Sequence, residues 1–212
     1  KELCHSIISK ELDVTWKISA GTKIETIKDY KTVELMYHSG CRYISVSPES
    51  GSERVRRFIG KQFDVAHALK IISYCKEFGI KTQACFVLGF PGEDDVDRQK
   101  SAGLLKGLVR CGLDEVAVFI ITPVPGSTIY KNNSIKGYGS LSNLTFTPDW
   151  RDDYQILSKF RMSLYLKFLF WKFSKNPSLL FSQAFNFITR RFQTKMEMVP
   201  FKALAWKIVD IK

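Results

Sequence analysis

Three stretches decide the fold: Cys41-Arg-Tyr-Ile-Ser-Val-Ser-Pro-Glu-Ser-Gly-Ser52, Phe86-Val-Leu-Gly-Phe-Pro-Gly-Glu93 and Thr122-Pro-Val-Pro-Gly-Ser-Thr-Ile-Tyr130. In each, an apolar strand pattern leads into a turn rich in Gly, Pro, Ser or Glu. Helical sequence separates them. Repetition of this kind sets several polar turns at one end of a parallel sheet, where α/β proteins keep their chemistry.

The elements around these stretches follow from periodicity and caps. Residues 1–11 read as an amphipathic helix on Leu3, Ile7, Ile8 and Leu12. Strands are expected at Val14–Ala20, Tyr43–Ser47, Lys81–Leu88 and Glu115–Ile121. Helices are expected at Lys28–Ser39, from Ser52 to Phe58, over Val65–Phe78 after the cap Asp64, and over Asp94–Cys111. Strands alternating with long helices imply right-handed crossovers and a parallel sheet. An open doubly wound sheet and part of a (β/α) barrel both satisfy this pattern.

A chain of 212 residues with 45% hydrophobic and 25% charged residues suits a globular domain with a sizeable core. The formal charge of +11 is uneven: residues 158–212 hold eleven Lys/Arg against Glu197 and Asp210. That segment is also aromatic, from Leu164 to Phe173 and on through Phe181, Phe185, Phe187, Phe192, Phe201 and Trp206. It reads as a helical cap with snorkelling lysines, or as an interfacial membrane contact too short to span. Nucleic acid ranks below both, because the cations lie among bulky apolar groups without a phosphate-binding motif. The reading divides the chain into residues 1–131, a loop or linker at 132–150, and a helical extension at 151–212.

The five cysteines, at positions 4, 41, 75, 85 and 111, form neither a disulfide framework nor a CxxC-type metal motif. They point to a reducing, cytosolic compartment. The chain opens on Lys1 in mid-helix character, without a signal peptide, as a fragment would. His5, His38 and His67 form no cluster and read as structural. Asp114 and Glu115 stand at the start of a strand, the end away from the chemistry.

The strand-end turns can hold a ligand's hydroxyls, ammonium or carboxylate, through Glu49, the neighbouring serines and a helix N-terminus. Each turn also has a plain structural reading: Ser50 or Ser52 as a helix cap, Gly89 as a tight turn, the two prolines after Thr122 as a stiff exit.

Taken in order, Gly40-Cys41, Ile44, Glu49-Ser-Gly-Ser52, Lys61, Gly79-Ile80, Phe86 to Glu93 and Pro123-Val-Pro-Gly-Ser127 resemble the radical S-adenosylmethionine superfamily. The likeness runs over residues 1 to about 130 and is nearest the branch whose members often carry a cobalamin-binding domain. It implies a partial (β/α)6 TIM-like barrel, of which this chain holds strands three to six, with an α-helical C-terminal extension. It implies that Glu49 and Ser50 contact the ribose or methionyl part of S-adenosylmethionine, that Val87 and Gly89 lie against the adenine, and that Pro123 and Val124 close the pocket. The family's acid after the fifth strand falls one residue before Glu93, so Glu93 receives no ligand role. A [4Fe–4S] cluster and reductive cleavage to a 5′-deoxyadenosyl radical belong to the parent protein, because the family's CxxxCxxC loop is not in this sequence. Cobalamin enters only through the resemblance. The other reading is a non-catalytic binding or membrane-docking module derived from half a barrel. The substrate, a small or lipid-like molecule, is left open, and the missing half of the barrel is the expected partner.

Overall fold

The structure is a computed structural model. It describes residues 1–131, 148–175, 177–192, 194, 195 and 198, with the backbone alone for 177–180. Residues 132–147 of the expected loop and residues 199–212 of the expected helical extension lie outside these residues.

The chain order is α1 (Glu2–Ser9), β1 (Trp16–Thr22), α2 (Tyr30–His38), β2 (Cys41–Glu49), α3 (Glu53–Phe58), α4 (Val65–Glu77), β3 (Lys81–Leu88), α5 (Asp95–Arg110), β4 (Glu115–Ile120), α6 (Thr128–Lys131), α7 (Tyr154–Lys175) and α8 (Pro177–Thr189). The sequence-based caps form as hydrogen bonds, Ser52 accepting from Val55 and Asp64 from Ala66, and Asp94, expected inside its helix, caps it by accepting from Asp97. Asp97 returns a bond to the Asp94 amide, completing a capping box. β2 runs further than the expected Tyr43–Ser47, so Glu49 is its last residue.

All four strands are parallel and lie in the order β1-β2-β3-β4. This order separates the two architectures that periodicity left open. A doubly wound sheet reverses strand order at a switch point, whereas a barrel adds each new strand on the same side. Sequential right-handed crossovers put the helices on one face of the sheet. The fold is therefore a segment of a (β/α) barrel.

The two faces differ in chemistry. Ile44, Val46, Ala84, Phe86, Leu88, Val116, Val118 and Ile120 point to the helices and join one buried cluster with Ile71, Ile72, Leu105 and Leu108. Burying side chains of this size stabilises by roughly 1.5–3 kcal/mol each. Alternation turns Tyr43, Ser45, Gln83, Cys85, Val87 and Glu115 to the other face. There Tyr43 donates to the buried Glu115 at 2.6 Å, and Ser45 donates to Gln83 at 3.1 Å. Burial and the Glu115 bond push the Tyr43 phenol well above its usual range.

α7 packs on α5 and β4, and its Leu157, Leu164 and Phe168 enter the same core. Tyr165 Oη accepts from the Val118 amide on β4 at 3.0 Å. Lys172, buried, donates to the Asp114 carbonyl and to Gln183. Further on, Lys195 donates to the Ser19 carbonyl of β1 at 2.8 Å and lies over the Tyr43 ring. The extension thus bonds to β4 through Tyr165 and to β1 through Lys195.

Gly51 fixes the turn after β2. A Cβ there would stand 2.2 Å from the Lys100 carbonyl oxygen and 2.6 Å from the Ser101 Cα of α5. Backbone cannot yield as a side chain does. Gly51→Ala is therefore expected to destabilise by about 2–4 kcal/mol in urea-induced unfolding, with little change in the denaturant slope.

Candidate functional site at the strand ends

The register brings the three turns to one end of the sheet. Glu49 pairs with Phe86, Leu88 pairs with Ile120, and the Ile121 amide donates to the Leu88 carbonyl at 2.9 Å. Glu49, Val87 and Gly89 thus stand at the same end of β2 and β3, and Pro123 and Val124 follow the end of β4 there.

Glu49 has φ +60°, the left-handed region that a side chain disfavours. Such a conformation costs on the order of 1–3 kcal/mol and persists only where the surroundings impose it. Here they do. Lys61 pairs with the Glu49 carboxylate, whose side chain is 15% exposed. Arg56, buried, donates to the Ser50 carbonyl at 3.1 Å and stacks over Phe63 at 4.7 Å. The Gly51 amide donates to Ser101 at 2.9 Å. The result is a half-buried carboxylate beside a half-exposed ammonium at the strand end. Such a pair offers one group to a ligand's ammonium or hydroxyls and the other to its carboxylate.

Ser50 sits differently from the expectation. Its side chain is fully buried, its Oγ lies 3.2 Å from Ser101 Oγ, and it accepts from the Ser52 amide at 3.1 Å. The hydroxyl is turned into the contact between β2 and α5, because the tight Gly51 approach to α5 leaves it no other direction. Gly89, at φ +84°, also has a structural duty. A Cβ there would meet Leu157 at 2.7 Å and Arg151 at 2.8 Å. Both main-chain groups are engaged, the amide by Glu93 and the carbonyl by Arg151 at 3.0 Å. Val87 is half-buried on the polar face, Pro123 is buried, and the Val124 side chain is exposed.

Sequence reasoning missed two residues. Arg151, buried just before α7, bonds the Gly89 and Ile121 carbonyls at 3.0 and 2.9 Å and pairs with Asp153, tying the ends of β3 and β4 together. Only the fold brings it there. Glu93 curls back on its own turn: one carboxylate oxygen accepts from Gly89, and the other, buried, has no partner. Burial raises its pKa to about 7, against the pull of the Gly89 amide and Arg98. Its signal was the turn motif itself, in which Glu93 receives no ligand role.

A carboxyl raised from 4.5 to about 7 on folding keeps its proton where the unfolded chain has lost it. Its contribution to stability is therefore constant below pH 4.5 and declines as pH rises towards 7. Glu93→Gln removes that decline. Wild type is expected to lose about 2 kcal/mol relative to Glu93→Gln between pH 5 and pH 8, measured by thermal or urea unfolding across the range.

Among the described residues no group of three His, Cys, Asp or Glu could hold a metal ion. Cys4, Cys41 and Cys75 are buried, and burial raises the Cys41 and Cys75 thiols to about 11 and about 12. These cysteines pack as small apolar groups and do not fit an iron–sulfur cluster. No helix among the described residues is long and apolar enough to cross a membrane.

Comparison with known proteins agrees with this geometry. Residues 5–105 match the family model of the radical SAM superfamily. An uncharacterised methyltransferase of Pyrococcus horikoshii is 28% identical over 140 residues, 66% of this chain and 28% of that protein. A tRNA-2-methylthio-N(6)-dimethylallyladenosine synthase of Thermus thermophilus is 34% identical over 94 residues, 43% of this chain and 20% of that protein. Among solved structures, the radical S-adenosylmethionine methyltransferase TsrM of Kitasatospora setae, with cobalamin and a [4Fe-4S] cluster bound, aligns at 14% identity and a TM-score of 0.41, over 56% of this chain and 23% of that one. The chain spans less than a third of the length of these relatives. Residues 5–105, with their ordered strand-end motifs and sequential parallel strands, are thus similar to the radical SAM superfamily.

Proposed function

We propose that this chain forms one side of the S-adenosylmethionine pocket of a radical SAM enzyme whose cluster-binding cysteines lie outside these 212 residues. The observation that carries the reading is the left-handed Glu49 held beside Lys61 at the end of β2. Strain kept at a strand end of a barrel, with a charge pair on it, marks a binding turn. The methionyl group of S-adenosylmethionine is a zwitterion, and its ribose carries two hydroxyls. A carboxylate and an ammonium side by side meet both needs. Val87, Pro123 and Val124 offer an apolar wall for the adenine. Ser50, Gly89, Ser101 and Arg151 hold the turns in place.

In the complete enzyme the cluster supplies the electron that splits S-adenosylmethionine. The residues here would orient the cofactor for that event. The methyltransferase and methylthiolation relatives make transfer of a one-carbon or sulfur group the favoured class of reaction, with cobalamin as a second cofactor on the methyl-transfer branch.

The test is anaerobic reconstitution of the complete gene product with iron and sulfide, followed by assay for 5′-deoxyadenosine under a strong reductant. Wild type is expected to form it. Glu49→Gln is expected to lose at least about tenfold in kcat/KM, the scale of one charge-assisted hydrogen bond. A gene product without a cluster, or a Glu49→Gln variant of wild-type rate, contradicts the reading.

A further inference from the structure

α7 is apolar on two opposite sides. Leu157, Leu164 and Phe168 face the core, while Met162, Leu166, Phe170 and Phe173 are each more than half exposed. The spacing of the second set, four, four and three residues, makes one stripe along the helix. In α8, Phe181, Phe185 and Ile188 repeat the pattern and are 69%, 62% and 76% exposed. An apolar stripe of this extent on a soluble surface marks a contact with something else.

The charge around the stripe says what that partner is. From Tyr154 to Met196 the sequence holds eight Lys/Arg and no Asp or Glu. Beside Phe170, a recess of about 330 Å³ between α5 and α7 is lined by Lys106, Arg110, Trp171, Ser174 and Lys175. Lys106 lies 5.8 Å from the centre of the Trp171 ring. Trp171 packs on the core, and the cations around it border the stripe at Phe170, as basic residues do beside an apolar face at lipid headgroup level. A second copy of the chain is a poor occupant, because a two-fold contact would set these cations against one another. Nucleic acid fits less well, since the stripe carries no phosphate-binding motif and sets aliphatic Met162, Leu166 and Ile188 among its rings.

We infer that the outer face of α7 and α8 docks on an anionic lipid bilayer, with the apolar stripe in the acyl boundary and the recess of Lys106, Arg110 and Lys175 on phosphate headgroups. This surface is separate from the strand-end site and does not depend on the reading of that site.

The test is co-sedimentation of the 212-residue chain with vesicles of phosphatidylcholine alone and of phosphatidylcholine mixed with phosphatidylglycerol. Binding is expected only to the anionic vesicles, and to weaken with added salt. A Lys106→Gln/Arg110→Gln/Lys175→Gln variant is expected to bind on the order of a hundredfold more weakly, at roughly fivefold per cation. A Leu166→Ser/Phe170→Ser/Phe173→Ser variant, checked for native circular dichroism, is expected to release the vesicles while its elution volume on size exclusion stays that of the wild type. Equal binding to neutral vesicles, unchanged binding by either variant, or a wild-type dimer that only the apolar variant dissolves would overturn the proposal. So would a chain that ignores vesicles but retards RNA on a gel.

Discussion

The strand-end site depends on a turn that the local sequence alone does not favour. Glu49 is not a glycine, yet it stands at φ +60°. Within Pro48-Glu49-Ser50 only the short bond from the Ser50 amide to the Pro48 carbonyl, at 2.7 Å, is set against that cost. The offset comes from three other elements: Lys61 after α3 on the carboxylate, Arg56 of α3 on the Ser50 carbonyl, and Ser101 of α5 on the Gly51 amide. The carboxylate can face the strand ends only because those bonds have already fixed the peptides on either side. The bareness of Gly51 is part of the same constraint, since α5 must approach its backbone for Ser101 to reach.

The sheet behind the turn works as two surfaces with opposite chemistry. Its helix-facing side carries the apolar residues that stabilise the domain. Its other side carries a polar ladder, Tyr43 to Glu115 and Ser45 to Gln83, in positions that a closed barrel would enclose. Groups of this kind are costly if left unpaired away from water. Lys195 of the C-terminal extension lies over the Tyr43 ring of this ladder, while Tyr165 bonds the β4 backbone and Lys172 the carbonyl just before β4. The same extension then leaves its outer side apolar and cationic, so one helix serves both the core and the surface contact.

Much of this was legible in the sequence, where the signal is local. Caps such as Asp64 and Asp94 act within three residues, so periodicity and cap chemistry placed the helices closely. The strand-end turns declared themselves by composition, and their order carried the family resemblance. What was not legible is long-range. Strand order is invisible to periodicity, since a barrel and a doubly wound sheet share the same alternation of β and α. Ser50 looked available because its partner Ser101 is fifty-one residues away. Arg151, placed only in the helical extension, drew no role because its acceptors, Gly89 and Ile121, follow strands that only the fold brings to it. Leaving Glu93 without a role missed its curl back onto Gly89, which composition cannot show. α7 gave no single apolar stripe because it has two.

The most direct measurement is a crystal structure of the complete gene product with S-adenosylmethionine bound. The account places polar atoms of the methionyl group or ribose within about 3 Å of the Glu49 carboxylate or Lys61, with the adenine against Val87 and Val124 and with Glu49 still left-handed. A cofactor seated elsewhere, with Glu49 and Lys61 paired only to each other, would contradict it.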